Sequence, residues 1–314
     1  MTNRIQRFIA FLLVLCIPIF AIAGCTNNDV ANAANQVTTN ANGAYSIDTK
    51  TTTPEGNLDV YMLDIGQGDA ILLKVGDEYS MIDTGDIEHR ENIVAQLKTM
   101  GVTKLKNIII THPHADHMGG FYAIAKAMPI ENVYDDGIAV DNNMYKTYEK
   151  WIEKNKIQRT TLRSGDVVDF GHGAVFVVYA PWIEPLTDKK GETDLNNNSI
   201  VGKLIFGKFS MLFTGDAEWQ EEKKLIKEQN SRLFARILKV GHHGSRTSSS
   251  EDFLKSIKPE SALISNGMYN KYGHPHDVTL RRLQENNIAI YRTDTMGRIH
   301  ISTDGNEWQI TTER

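Results

Sequence analysis

Residues 58–314 read as an α/β sandwich of four layers, two packed mixed sheets flanked by helices. Two observations lead there. From Leu58 onward, short β-branched runs alternate with amphipathic stretches, and no solenoid-length repeat or second linker interrupts them. The run 106–110 is apolar enough to be buried on both faces, as a strand inside a covered sheet must be. Composition agrees, since 41% hydrophobic and 23% charged residues in a chain of 314 suit one large packed core. They exclude a disordered chain and a multi-span membrane protein.

Strands are expected at 58–63, 70–75 and 79–82, followed by a helix at 91–100 and the buried strand 106–110. Gly119-Gly120 opens a helix to Met128, and 142–154 forms another. Further strands are expected at 174–179, 199–206, 209–213, 237–240, 262–264, 289–291 and 298–301, with helices at 217–228, 250–257 and 277–286 between them. Ser249 or Ser250 is placed to cap the helix of 250–257.

The N-terminus differs from the rest. Arg4 and Arg7 precede an apolar run at 8–20, which ends in Ala21-Ile22-Ala23-Gly24-Cys25. That is a secretory leader, too short and wrongly flanked for a lasting membrane helix. Ile22-Ala23-Gly24-Cys25 resembles a bacterial lipobox, which implies removal of 1–24 and lipidation of Cys25. Two acyl chains suffice for stable anchoring at the outer face of the cell membrane. Residues 25–57, rich in Asn, Thr, Ala and Gly, read as a flexible tether. No protein partner is legible.

The other cysteine, Cys16, lies in the leader, so the mature chain has neither a disulfide nor a thiolate ligand beyond its lipidated terminus. Metal ligands must then be His, Asp, Glu or Asn. Loss of Arg4 and Arg7 leaves 32 basic against 39 acidic residues, a formal charge of −7 with no long-range attraction for duplex DNA.

Directly after the buried strand, Thr111-His112-Pro113-His114-Ala115-Asp116-His117-Met118-Gly119-Gly120 gathers three imidazoles and a carboxylate. Neutral imidazoles and an ionised carboxylate suit zinc or a similar divalent ion. A lone His here would read as a chance loop residue; His-x-His-x-Asp-His after a strand does not.

This motif resembles the signature of the metallo-β-lactamase superfamily. Ile82-Asp83-Thr84-Gly85 resembles the family's early Asp turn, and Leu212-Phe213-Thr214-Gly215-Asp216 the strand that delivers a bridging aspartate. His242-His243-Gly244-Ser245 supplies the late histidine. The resemblance implies an αββα sandwich and two divalent ions, zinc or manganese. His112 and His114 would bind the first, Asp116 and His117 the second, with Asp216 between them. One of His242 and His243 would complete the second site, with His243 preferred.

Four further segments are similar to the hydrolase domain of ComEC-type competence proteins: Asp64-Ile65-Gly66-Gln67-Gly68-Asp69-Ala70, Asn198-Ser199, the stretch from Leu238 to Ser245, and Tyr272-Gly273-His274-Pro275. Bacterial surface phosphorylcholine esterases share some of this likeness. It implies a hydrolase of phosphodiester bonds, of nuclease or phosphodiesterase type, acting on a small-molecule, nucleic-acid or envelope substrate. One departure stands out: where the superfamily usually gives the first ion a third histidine, this chain has Asn196-Asn197-Asn198-Ser199. His172, in Gly171-His172-Gly173, reads as a surface turn residue. The first ion is therefore expected to be held weakly, completed by water or by Asn198.

Paired cations lower the pKa of a shared water from about 15.7 toward about 7 and clamp phosphoryl or acyl oxygens. Asp116, Lys239 and His274 are the candidate catalytic groups, the last two with Ser245 for binding substrate oxygens or protonating a leaving group. Asp64, Gln67, Asp69, Asp83, Asn198 and Ser199 are candidates to contact substrate or support ligands, Asp69 and Asp83 by orienting imidazoles. Two other functions stand beside this one. A lactone or amide hydrolase, β-lactamases included, is disfavoured by the missing histidine and the missing cysteine ligand. A non-catalytic metal-binding surface lipoprotein is disfavoured by the intact set His112, His114, Asp116, His117, Asp216 and His243.

Overall fold

The computed structural model describes residues 37–39, 45–47 and 53–314, so the leader and Cys25 lie outside the described residues. Within the stretch whose composition reads as a tether, β1 (Val37–Thr39) pairs antiparallel with β2 (Tyr45–Ile47). Its end is also docked, because the Glu55 N–H donates to the His172 carbonyl at 3.0 Å.

Strands then follow in two groups. The first is β3 (Leu58–Met62), β4 (Ala70–Val75), β5 (Glu78–Thr84), β6 (Leu105–Ile109), β7 (Ile130–Asp135) and β8 (Gln158–Thr161). The second is β9 (Val167–Gly171), β10 (Ala174–Ala180), β11 (Val201–Phe206), β12 (Phe209–Phe213), β13 (Ile237–Lys239), β14 (Ser261–Ile264) and β15 (Ala289–Arg292). The chain closes with β16 (Ile299–Thr303) and β17 (Trp308–Thr312), which return to the first sheet. One sheet has the order β17-β16-β3-β4-β5-β6-β7-β8 and the other β15-β14-β13-β12-β11-β10-β9.

The layers follow from side-chain period. In β3, Leu58, Val60 and Met62 are buried while Asp59 and Tyr61 between them are only half-buried, so alternate residues enter one core. They meet Phe176, Phe206 and Phe213 of the second sheet between the two layers. On the outer face of the first sheet, Leu72, Met81 and Ile108 pack under Ile93 and Leu97 of helix Arg90–Thr99, and under Tyr148 and Ile152 of helix Asn143–Asn155. Leu212 and Leu238 do the same for the second sheet, under Leu225 and Phe253. Strands covered on both faces lose their polar alternation, and every residue of β10 and β12 is buried. Truncating Phe176, which is 0% exposed, to Ala costs about 3–5 kcal/mol.

Six strands were not anticipated: β1 and β2, in the stretch read as a tether, and β7, β8, β9 and β17. β8 is an edge strand whose Gln158-Arg159-Thr160-Thr161 carries no apolar period, and β17 is the opposite edge. The strand expected at 199–206 starts at Val201, because Asn196–Asn198 forms a single 3-10 turn before it. Ser250 is the helix cap, its side chain accepting from the Phe253 N–H.

Strands β5 to β8 run parallel, as do β12 to β15. Their carboxyl ends, where crossover connections leave a crevice, lie along one rim of the sandwich. The loops after β3, β6, β12, β13 and β14 carry most of the candidate residues, with Asp83 and Lys239 at the ends of β5 and β13 and Asn198 and Ser199 just before β11. Among the described residues no helix is long and apolar enough to cross a membrane.

Candidate metal centre

The chain leaves β6 into Thr111–His114 and then the four-residue helix Ala115–Met118, so Asp116 and His117 project from a tight turn. The loop after β3 packs against that turn at Gly68, where φ is +121° and an added Cβ would lie 2.4 Å from the Asp116 carbonyl oxygen. Only glycine allows this approach, which the Asp69 N–H secures by donating to the Asp116 carbonyl at 2.9 Å.

Asp216, delivered by β12, is the centre, with its side chain 3% exposed. Its two oxygens divide the site. Oδ1 is 3.2 Å from His117 Nε2 and 3.7 Å from His243 Nε2. Oδ2 is 3.8 Å from His112 Nε2 and 3.6 Å from His242 Nε2. Asp116 Oδ2 joins the first group, 3.3 Å from His243 Nε2, and His114 Nδ1 joins the second, 3.0 Å from His112 Nε2.

These residues fit divalent cations. Donor atoms of Asp116, His117, Asp216 and His243 all lie within 4.8 Å of one another. His117 Nε2, Asp216 Oδ1 and His243 Nε2 are buried with no hydrogen-bond partner, which folded proteins avoid unless a ligand satisfies them. Burial lowers the pKa of His117, but the charges of Asp216 and Asp83 hold it well above the usual value. The same field that favours a proton there favours a metal ion. Burial and the neighbouring His117 push His112 well down, into the neutral form that ligates metals.

Four of the five imidazoles, His112, His117, His242 and His243, have a partner behind them. Asp83 accepts from the Thr111 N–H at 2.7 Å and from its hydroxyl at 2.8 Å, and Asp83 Oδ2 lies 2.8 Å from His117 Nδ1. His243 Nδ1 donates to the Ser265 carbonyl at 2.9 Å, and His242 Nδ1 to Glu218 Oε1 at 3.0 Å. Ser199 Oγ accepts from the Asp216 N–H at 3.0 Å and lies 3.4 Å from His112 Nδ1. Asp83 and Ser199 thus stand in supporting positions, whereas Glu218, also bonded by the Thr247 hydroxyl at 2.7 Å, was missed. Its only signal was the Asp-x-Glu spacing from Asp216.

The largest correction concerns the paired histidines. Both face Asp216, on opposite sides, because His242 (φ 48°) and His243 (φ 53°) adopt consecutive left-handed conformations that splay adjacent side chains apart. His243 stands with Asp116 and His117, while His242 lies on the other side of Asp216, 3.6 Å from the Oδ2 that also faces His112. Asn198 does not reach the centre. It is 0% exposed and clamps the loop before it, Oδ1 accepting from the Leu186 N–H and Nδ2 donating to the Leu186 and Asp194 carbonyls.

Lys239 is likewise not substrate-facing, being 1% exposed and bonded to Asp69 Oδ2 and to the Gly215 carbonyl. Asp69 stands behind His243, its Oδ1 3.5 Å from Nδ1. Ser245 is buried against Thr247, and Asp64 pairs with Arg314 at 2.9 Å, so neither borders the centre. His172 is the turn residue expected, at φ 51° between β9 and β10. Gln67, Asn196, Tyr272 and His274 close a cavity of about 310 Å³ over the histidines and aspartates.

Comparison with known proteins identifies the fold's family. A family model described as the metallo-beta-lactamase superfamily matches residues 63–267, more than half of the chain. The chain is 30% identical over 247 residues to Competence protein ComA of Neisseria gonorrhoeae, covering 78% of this chain and 32% of that protein. It is 30% identical over 264 residues to ComE operon protein 3 of Bacillus subtilis (strain 168), covering 78% and 33%. It therefore spans about a third of the length of these relatives. Among solved structures it is similar in fold to YhfI of Bacillus subtilis, a metallo-β-lactamase fold protein, with a TM-score of 0.53 and 11% identity, covering 78% of this chain and 100% of that one. Sandwich, rim and matched segment coincide, and the chain belongs to the metallo-β-lactamase superfamily.

Proposed function

We propose that this chain is an extracytoplasmic hydrolase, anchored through Cys25, that cleaves phosphodiester bonds with two divalent ions. The divided carboxylate of Asp216 carries the proposal. His112, His114 and His242 would hold one ion and Asp116, His117 and His243 the other, with Asp216 offering an oxygen to each. Zinc suits the five imidazoles, and the carboxylates also admit manganese.

Among these ligands only Asp116 and Asp216 are anionic, so a pair of divalent cations would leave a formal excess of positive charge. Such a site favours an anionic phosphodiester over a neutral lactam or lactone. With His242 as a third ligand, the first ion would no longer be under-liganded, and weak binding would not count against lactams. Charge and the likeness to ComEC-type domains favour phosphodiesters instead.

Bound ions would supply an activated water and neutralise charge on phosphoryl oxygens. The chain's own part is preorganisation. Asp83, Ser265 and Glu218 fix imidazole direction and tautomer, so little rearrangement accompanies reaction. His274 borders the cavity with Nδ1 unpartnered; burial and the neighbouring His243 and His242 hold its pKa down to about 4. It is neutral at pH 7 and suited to hydrogen bonding rather than to carrying charge.

Purified full-length chain in detergent, supplied with zinc or manganese, is tested on bis-p-nitrophenyl phosphate, a β-lactam and an aryl lactone. Turnover of the phosphodiester, abolished by Asp216→Asn, is expected. Turnover of the lactam or lactone alone overturns the proposal. For the anchor, Cys25→Ser is expected to release the protein into the medium; retention on the membrane defeats it.

A further inference from the structure

Gln67, Tyr272 and His274 form a part of the cavity wall that no metal needs. Gln67 is fixed at one end of its amide, where Oε1 accepts from the Gly267 N–H at 3.4 Å. Its Nε2 is buried without a partner, and the residue lines the cavity. A desolvated amide N–H is costly unless a ligand brings the acceptor.

The neighbouring segment is stapled by Asn270. Its Nδ2 donates to the Gly267 carbonyl at 2.9 Å and the His274 carbonyl at 2.6 Å, and its Oδ1 accepts from the Tyr272 and His274 N–H groups at 3.2 and 3.0 Å. The staple holds a loop whose large side chains serve no core: Met268 is 58%, Tyr269 95% and Tyr272 51% exposed. Tyr272 lies over His274, rings 5.6 Å apart at 22°, and borders the cavity. An ordered aromatic surface beside a reactive centre marks recognition.

We propose that this wall reads the substrate at two points, Gln67 Nε2 donating to a non-bridging phosphoryl oxygen and Tyr272 stacking on a planar ring of the esterified group. The preferred substrate is then a nucleotide-like or aryl phosphodiester rather than an alkyl one. This rests on the phosphodiester function above and narrows it. The formal charge of −5 over the whole chain opposes long-range attraction of a duplex, which favours a short ligand.

Calorimetry on the full-length, zinc-loaded chain compares adenosine 5′-monophosphate, ribose 5-phosphate and inorganic phosphate. The nucleotide is expected to bind about tenfold more tightly than ribose 5-phosphate, as one stacked base provides. Tyr272→Ala removes that ratio, and Tyr272→Phe keeps it. Gln67→Ala weakens all three ligands by roughly tenfold or more and preserves the ratio. Neither position lies in the core, and circular dichroism checks that each variant is folded. Phosphate binding without preference for the nucleotide, or a ratio that survives Tyr272→Ala, overturns the stacking. Unchanged affinities in Gln67→Ala overturn the amide contact. Binding of none of the three overturns this inference together with the phosphodiester function, a result distinct from the others.

Discussion

Replacing Lys239 with methionine removes a buried ammonium group and strands its partner. Lys239 and Asp69 have side chains only 1% and 2% exposed, and among the described residues Asp69 has no other cation in contact but imidazoles at 3.5 and 3.8 Å. Breaking a buried pair by deleting one member costs about 3–5 kcal/mol. At roughly 2–4 °C per kcal/mol for a domain of this size, Tm falls by roughly 6–20 °C. Asp69→Asn strands the ammonium instead and carries a similar cost. In the double variant neither charge remains, so its loss should be smaller than the sum of the singles by about 2–3 kcal/mol. Thermal unfolding by circular dichroism in EDTA measures this while keeping metal loss out of the comparison. A cost below about 1 kcal/mol for Lys239→Met, or strict additivity, refutes the reasoning and returns Lys239 to the substrate-facing role its sequence position suggested.

Gly68→Ala forces a Cβ against the Asp116 carbonyl from a left-handed backbone, so denaturant titration should show a loss of about 1–3 kcal/mol and metal competition a weaker site. Unaltered values in both would contradict the close approach. His242→Ala and His243→Ala should each retain one zinc per chain by atomic absorption, and two retained ions in His242→Ala would remove that residue from the ligand set. Zinc at about 100 times its Kd should add about 2.7 kcal/mol of stability per site, and no shift in Tm would count against binding to the folded chain.

Glu221 offers a pH test. It is 0% exposed with both oxygens unpartnered, and burial followed by repulsion from Asp194 and Glu222 raises its pKa well above 4.5. The folded state then binds the proton more tightly than the unfolded, so stability from this group is full below pH 4.5 and declines as pH rises toward the folded pKa. Glu221→Gln should accordingly stabilise more at pH 8 than at pH 5; a constant Tm difference across that range rejects the account.

Much of the fold was legible because it depends on local period. The alternation in β3, the apolar run of β6 and the amphipathic helices are each visible in a short window. Edge strands such as β8 were not, since a strand paired on one side needs no apolar face. The centre divides the same way. His112, His114, Asp116 and His117 lie within six residues, and one strand end can bring them together. Asp216, His242 and His243 were recognisable by type and order.

Which histidine serves which side was decided by two consecutive left-handed residues, a backbone state that side-chain identity does not encode. The roles of Asn198, Lys239 and Glu218 depended on partners distant in sequence: the loop at Leu186 for Asn198, Asp69 across the sandwich for Lys239, and His242 for Glu218. Chemistry carried by neighbours in sequence is determined by the sequence itself; chemistry that needs a direction, a desolvated partner or a wall such as Gln67 with Tyr272 is decided only when distant loops converge on one rim.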